Sequence, residues 1–164
     1  MKKKTLLGCL GLGLLGLSPS AFALCTILCS CSASTSSVAF GVHDPLSGSD
    51  TSSTGNVAVT CGGVLGLLVP YDIELSPGGY GTYSARQMGS GVNRLNYNLY
   101  TSGTHATVWG NGSGSTQLVS GSVTIVLLGG TTANHTVYGR IPAGQTSVVP
   151  GSYSDTVTVT VIYQ

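Results

Sequence analysis

Lysine is absent beyond position 4, and the chain carries little charge of either sign. Its 164 residues hold six Lys and Arg against five Asp and Glu, and only 7% of residues are charged. Three of the cations are Lys2, Lys3 and Lys4; the others are Arg86, Arg94 and Arg140. Three scattered arginines cannot neutralise a phosphate backbone, which excludes nucleic-acid binding. Without lysine in the body of the chain, Schiff-base chemistry and a P-loop are excluded too. Low charge beside a 41% hydrophobic fraction argues against charge-driven disorder.

Catalytic constellations are also missing. His43, His105 and His135 do not pair with one another at metal-ligand spacing. No Gly-x-Ser-x-Gly elbow occurs. Asp72 and Glu74 stand two apart on one strand face, and the expectation is a pair of solvated carboxylates. Gly11, Gly13 and Gly16 spell a dinucleotide fingerprint, but they follow no strand. No nucleophile, base and orienter assemble. The expectation is a non-enzyme with no catalytic, metal or cofactor-binding residues and no small-molecule substrate.

What is present begins with an export signal. Lys2 to Lys4 form a positive start, Leu6 to Leu17 an apolar run, and Pro19 breaks it. Ala21 and Ala23 are the small residues that precede a cut before Leu24. A membrane anchor is the competing reading, but the stretch is marginal in length, rich in Gly and interrupted by Pro19. The expected organisation is a signal peptide over residues 1–23 and one domain over residues 24–164. The shortened chain keeps three arginines against five carboxylates.

Of the five cysteines, Cys9 leaves with the signal. Cys25, Cys29, Cys31 and Cys61 remain, an even number in an exported protein, which points to disulfides rather than a thiolate metal site. Three connectivities are possible. Cys29 and Cys31 would share one face of a strand and are poorly placed to join each other.

The rest reads as all-β. Turn formers are dense, with 25 Gly and 6 Pro. Val157, Val159, Val161 and Tyr163 alternate with Thr156, Thr158 and Thr160, which predicts a strand with one buried face. Val123, Ile125 and Leu127 alternate likewise, and residues 56–61, 69–75, 94–100 and 135–141 are further strand candidates. Residues 47–55 and 110–116 read as polar loops. Short strands with Gly/Ser punctuation and no helical period predict a β-sandwich.

Several segments, in order, resemble the spore coat protein U domain family, which includes subunits of archaic chaperone–usher pili. They are Cys31 to Ser34; Val38-Ala39-Phe40-Gly41-Val42-His43-Asp44-Pro45; Gly55 to Cys61; Arg86-Gln87-Met88; Leu95 to Tyr100; Val108 to Gly112; Tyr138 to Gln145; and Gly151 to Val161. His43 stands where the family usually has an aromatic. The resemblance implies an immunoglobulin-like sandwich that lacks its final strand. It implies a Cys31–Cys61 disulfide between the first two strands, leaving Cys25 and Cys29 as the second pair. It also implies an acceptor groove beside Val157, Val159, Val161 and Tyr163. The partners implied are a periplasmic chaperone, an outer-membrane usher and neighbouring subunits, which meet by β-strand addition. The location implied is the periplasm in transit, then the cell surface. Leu24 to Ser30 is a short stretch for a donor strand, so the expectation is a subunit that accepts a strand without donating a good one. The competing reading is a self-contained binding module whose aromatics, among Tyr80, Tyr83, Tyr97, Tyr100 and Trp109, touch a carbohydrate or surface; Tyr97 and Trp109 are expected in the core. A coat protein is a further alternative.

Overall fold

The computed structural model describes residues 29–126 and 129–163. The expected signal peptide, Cys25 and Leu127 lie outside the described residues. Among the described residues nine strands form: β1 (Cys29–Ser36), β2 (Thr51–Gly63), β3 (Leu68–Leu75), β4 (Tyr80–Gly81), β5 (Arg86–Ser90), β6 (Asn93–Tyr100), β7 (Val119–Thr124), β8 (Thr131–Ile141) and β9 (Val159–Tyr163). No helix occurs among the described residues. One sheet has the order β1-β2-β8-β6-β5-β4 and the other β7-β3-β9. Every ladder in the two sheets is antiparallel.

Alternation explains which faces meet. Along β2, Val57, Val59 and Cys61 are buried while Asn56, Ala58 and Thr60 between them are not. Along β3, Val69, Tyr71, Ile73 and Leu75 are buried and turn toward the first sheet. Side chains two apart share a strand face, so each sheet has one apolar side and the two sides close on each other. Burying each large aliphatic side chain stabilises this arrangement by roughly 1.5–3 kcal/mol. Trp109 is fully buried, and its indole N–H donates to the Ile73 carbonyl at 2.9 Å. That bond removes the cost of an unpaired donor in the core.

Two expectations change. Residues 51–55 are not loop but the start of β2, paired with β8 from Thr51↔Ile141 to Gly55↔Val137. Their Ser and Thr content suggested a loop, but ladder hydrogen bonds to β8 satisfy the backbone whatever the side chains are. The last strand is shorter than its pattern. Alternation runs from Thr156, but the regular ladder starts at Val159. Upstream, single contacts hold the chain: Ser76 N–H donates to the Thr158 carbonyl at 2.9 Å, and Gly89 and Ser154 exchange two hydrogen bonds. Residues 154–163 therefore cross from the β5 side of one sheet to β3 of the other.

Candidate functional site

β9 hydrogen-bonds β3 on one side, from Tyr71↔Tyr163 to Leu75↔Val159, and no described strand on the other. β1 is the edge of the larger sheet, paired only with β2. The two edges approach each other without forming a ladder. An open, apolar strand edge is normally covered or blunted, because it templates pairing with another chain.

Between these edges runs an open groove of about 640 Å³. Val57, Leu75, Met88, Tyr97, Leu99 and Val137 line it, and all six belong to the buried core. Val38, Phe40, Tyr153, Val157 and Val159 also line it and are only partly buried. Core side chains are thus reachable along one side of the sandwich. The shape that would cover it is an extended segment with apolar side chains at alternate positions and backbone groups placed to pair with β9.

Two glycines make one wall possible. After β1 the chain runs as an irregular strap that carries Val38 and Phe40 inward. A Cβ on Gly139 of β8 would lie 2.5 Å from a Val38 methyl and 2.7 Å from Phe40. A Cβ on Gly55 of β2 would lie 2.7 Å from the Ser36 carbonyl and 2.9 Å from Val38. Absence of a side chain at both positions lets the strap cross the sheet and close one end of the groove. Phe40 meets Tyr97 edge-on, with ring centroids 6.1 Å apart.

A polar cluster fixes the same end. The Tyr97 hydroxyl donates to Asp155 at 2.6 Å, and Asp155 also accepts from the Gly79 and Thr156 amides, each at 2.8 Å. Burial pushes the Tyr97 hydroxyl well above the usual phenol range, and the bond to Asp155 adds to this. Nearby Arg86 is wholly buried. Its guanidinium donates to the Ser76 and Trp109 carbonyls and to Asn98 Oδ1, at 2.7–3.1 Å. Desolvation lowers its pKa, while Tyr97, Tyr83 and Asp155 act the other way. Carbonyl dipoles rather than a paired carboxylate satisfy this cation. It ties β5 and β6 to the segments around Ser76 and Trp109.

Of the residues singled out in the sequence, Val157 and Val159 line the groove. Val161 and Tyr163 continue the same face and pack on the core further along. Cys31 and Cys61 are joined by a disulfide with a Cα–Cα distance of 4.1 Å, directly opposite each other in the β1–β2 ladder. Cys29 is also disulfide-bonded. Tyr97, Tyr100 and Trp109 are buried, and Tyr80 is partly covered by the Arg94 guanidinium, 4.3 Å above its ring. Asp72 accepts the Ser120 hydroxyl at 2.6 Å. Sequence reasoning missed the strap, Met88, Tyr153 and the glycine seats. The alternation of Val38 and Phe40 in a stretch rich in Ser and Gly was the available signal.

Residues 19–160 match the Spore Coat Protein U domain, a span that begins inside the expected signal peptide. No curated protein matches the chain. Among solved structures, it is similar to a chain in the CsuC–CsuE chaperone–tip adhesion subunit pre-assembly complex from archaic chaperone–usher Csu pili of Acinetobacter baumannii. The identity is 26% and the TM-score 0.52, over 82% of this chain and 39% of that one.

Proposed function

The chain belongs to the spore coat protein U domain family, and from that premise we propose that it is a non-enzymatic subunit of a surface pilus. The observation that carries this reading is the groove: core residues Val57, Leu75 and Leu99 line an open trough beside the outer edge of β9, which among the described strands pairs only with β3. A segment added along β9 would bury that apolar face and pair the free edge in one step. In this reading a periplasmic chaperone fills the groove first, and a neighbouring subunit's segment replaces it with the help of an outer-membrane usher. The match to a chain of a chaperone–tip adhesion subunit complex supports the chaperone as partner. The expected signal peptide supports passage through the periplasm to the cell surface, where the fibre serves adhesion or biofilm formation.

The test is periplasmic expression of the chain with and without a chaperone of an archaic chaperone–usher system. Solubility that depends on the chaperone, with a one-to-one complex or heat-labile ladders on unboiled gels, is the expected result. A stable monomer without chaperone would overturn it and favour a self-contained binding module.

A further inference from the structure

Residues 111–115 form an exposed loop on the way from β6 to β7. Its base is tied down. Gly110 N–H donates to the Gln117 carbonyl at 2.8 Å, and the Thr116 amide and hydroxyl donate to the Ser113 carbonyl at 3.1 and 2.8 Å. Within the loop stands Asn111-Gly112, the one Asn-Gly pair of the chain; Val, Arg, Tyr, Leu or His follows every other asparagine. Asn111 Oδ1 accepts two hydrogen bonds from Ser113, from the amide at 3.1 Å and from the hydroxyl at 2.6 Å. Neither Asn111 Nδ2 nor the Gly112 nitrogen bonds to any described residue. Gly112 has no side chain to shield that nitrogen.

We propose that Asn111 is a site of spontaneous deamidation, in which the Gly112 nitrogen closes on the side-chain amide and ammonia leaves. The nitrogen forms a bond to Asn111 Cγ and gives up its proton. The Cγ–Nδ2 bond breaks, and Nδ2 departs as ammonia with that proton, leaving a succinimide ring. Water then opens the ring. Cleavage between the Gly112 nitrogen and Cγ leaves Asp; cleavage between that nitrogen and the Asn111 main-chain carbonyl carbon leaves isoaspartate. Water is the only co-reactant, and nothing is oxidised or reduced. When Cγ turns tetrahedral its oxygen carries negative charge, and the Ser113 N–H and O–H already donate to that oxygen. Asn134, followed by His135, is held differently: it lies in the β2–β8 ladder, and its Oδ1 accepts from Asn56 Nδ2 at 2.9 Å. Either product places a negative charge in a stretch that has no Asp, Glu, Lys or Arg between Arg94 and Arg140. Isoaspartate also lengthens the main chain beside Gly110, whose carbonyl accepts from the Leu75 amide at 3.2 Å. The reaction needs no partner, so it stands apart from the pilus reading.

The test incubates the full exported chain, alone or in its chaperone complex, in neutral to mildly alkaline buffer. Peptide mapping should show the mass gain of deamidation at Asn111 and not at Asn134, and an isoaspartyl methyltransferase should label the product. Gly112→Ala should slow the reaction about tenfold or more, since a methyl group then stands beside the attacking nitrogen. That methyl would meet only Leu118, at 3.6 Å, so the substitution probes access rather than packing. Ser113→Ala should slow it about twofold to tenfold, the weight of one hydrogen bond in water, and Ser113→Thr should restore it. In urea the effect of Ser113→Ala should vanish while that of Gly112→Ala persists. An unmodified Asn111 in the folded chain would overturn the proposal, as would a glycan on Asn111 Nδ2 or a native rate indifferent to Ser113→Ala. Should Gly112→Ala disturb the loop, where φ is +80°, the wild-type and Ser113 time courses decide.

Discussion

The Tyr97 hydroxyl donates to Asp155 at 2.6 Å, joining β6 of the large sheet to the segment that leads into the last strand. This bond sets where residues 155–159 stand, and with them one wall of the groove. Tyr97→Phe should destabilise the fold by about 1.5–3 kcal/mol, the range for a hydrogen bond to a charged acceptor. Asp155→Asn should cost more, because the Gly79 and Thr156 amides use the same carboxylate. Thermal melting of both variants in the chaperone complex checks the order.

Removing the Cys31–Cys61 bridge should weaken the sandwich by about 3–4 kcal/mol, from the loop entropy of a 30-residue separation. Replacement of both cysteines by Ala, followed by urea unfolding, reads this out. A loss below about 1 kcal/mol would mean that the β1–β2 ladder alone holds the two strands.

Gly139→Ala should displace the strap, since its new methyl would meet Val38 and Phe40 at 2.5 and 2.7 Å. Overpacking of this kind costs about 1–3 kcal/mol. Faster amide exchange over residues 36–40 should accompany it, with β3 and β7 unaffected.

Val159→Asp should prevent a stable fold or complex, at a cost of about 3 kcal/mol or more, because it places an unpaired charge in the groove that Val57 and Leu75 line. Val159→Ile should be tolerated. Normal solubility of the Asp variant would show that this face does not serve the groove.

Acid should weaken the contact between the sheets at His135. Its ring nitrogen lies 2.8 Å from the Tyr71 hydroxyl, and desolvation lowers its pKa below the ordinary 6.5. The folded state therefore binds its proton less readily than the unfolded chain. The contribution is complete above about pH 6.5 and is lost as pH falls through the lowered folded value. His135→Gln should flatten the change in melting temperature between pH 7 and pH 5.

Much of this molecule was legible from local pattern. The alternation of Val157, Val159, Val161 and Tyr163 already assigned one face to the core, because side chains two apart on a strand must share a side. Four cysteines after the expected export signal implied disulfides, and Cys31 and Cys61 are joined. The scarcity of charge, with only three arginines beyond Lys4, set the expectation of no nucleic-acid partner. Even so, the Ser and Thr of residues 51–55 concealed the start of β2, whose place is set by pairing with β8 and not by its own side chains.

Sequence by itself determined the all-β class and the apolar faces, since these follow from residue types and short-range periodicity. Tertiary structure alone decided that β1 and β9 are sheet edges among the described residues, that Gly55 and Gly139 seat the strap, and that backbone carbonyls hold the buried Arg86. Where a groove runs depends on which strands have found neighbours and which edges are left over among the described residues, and no local pattern encodes that.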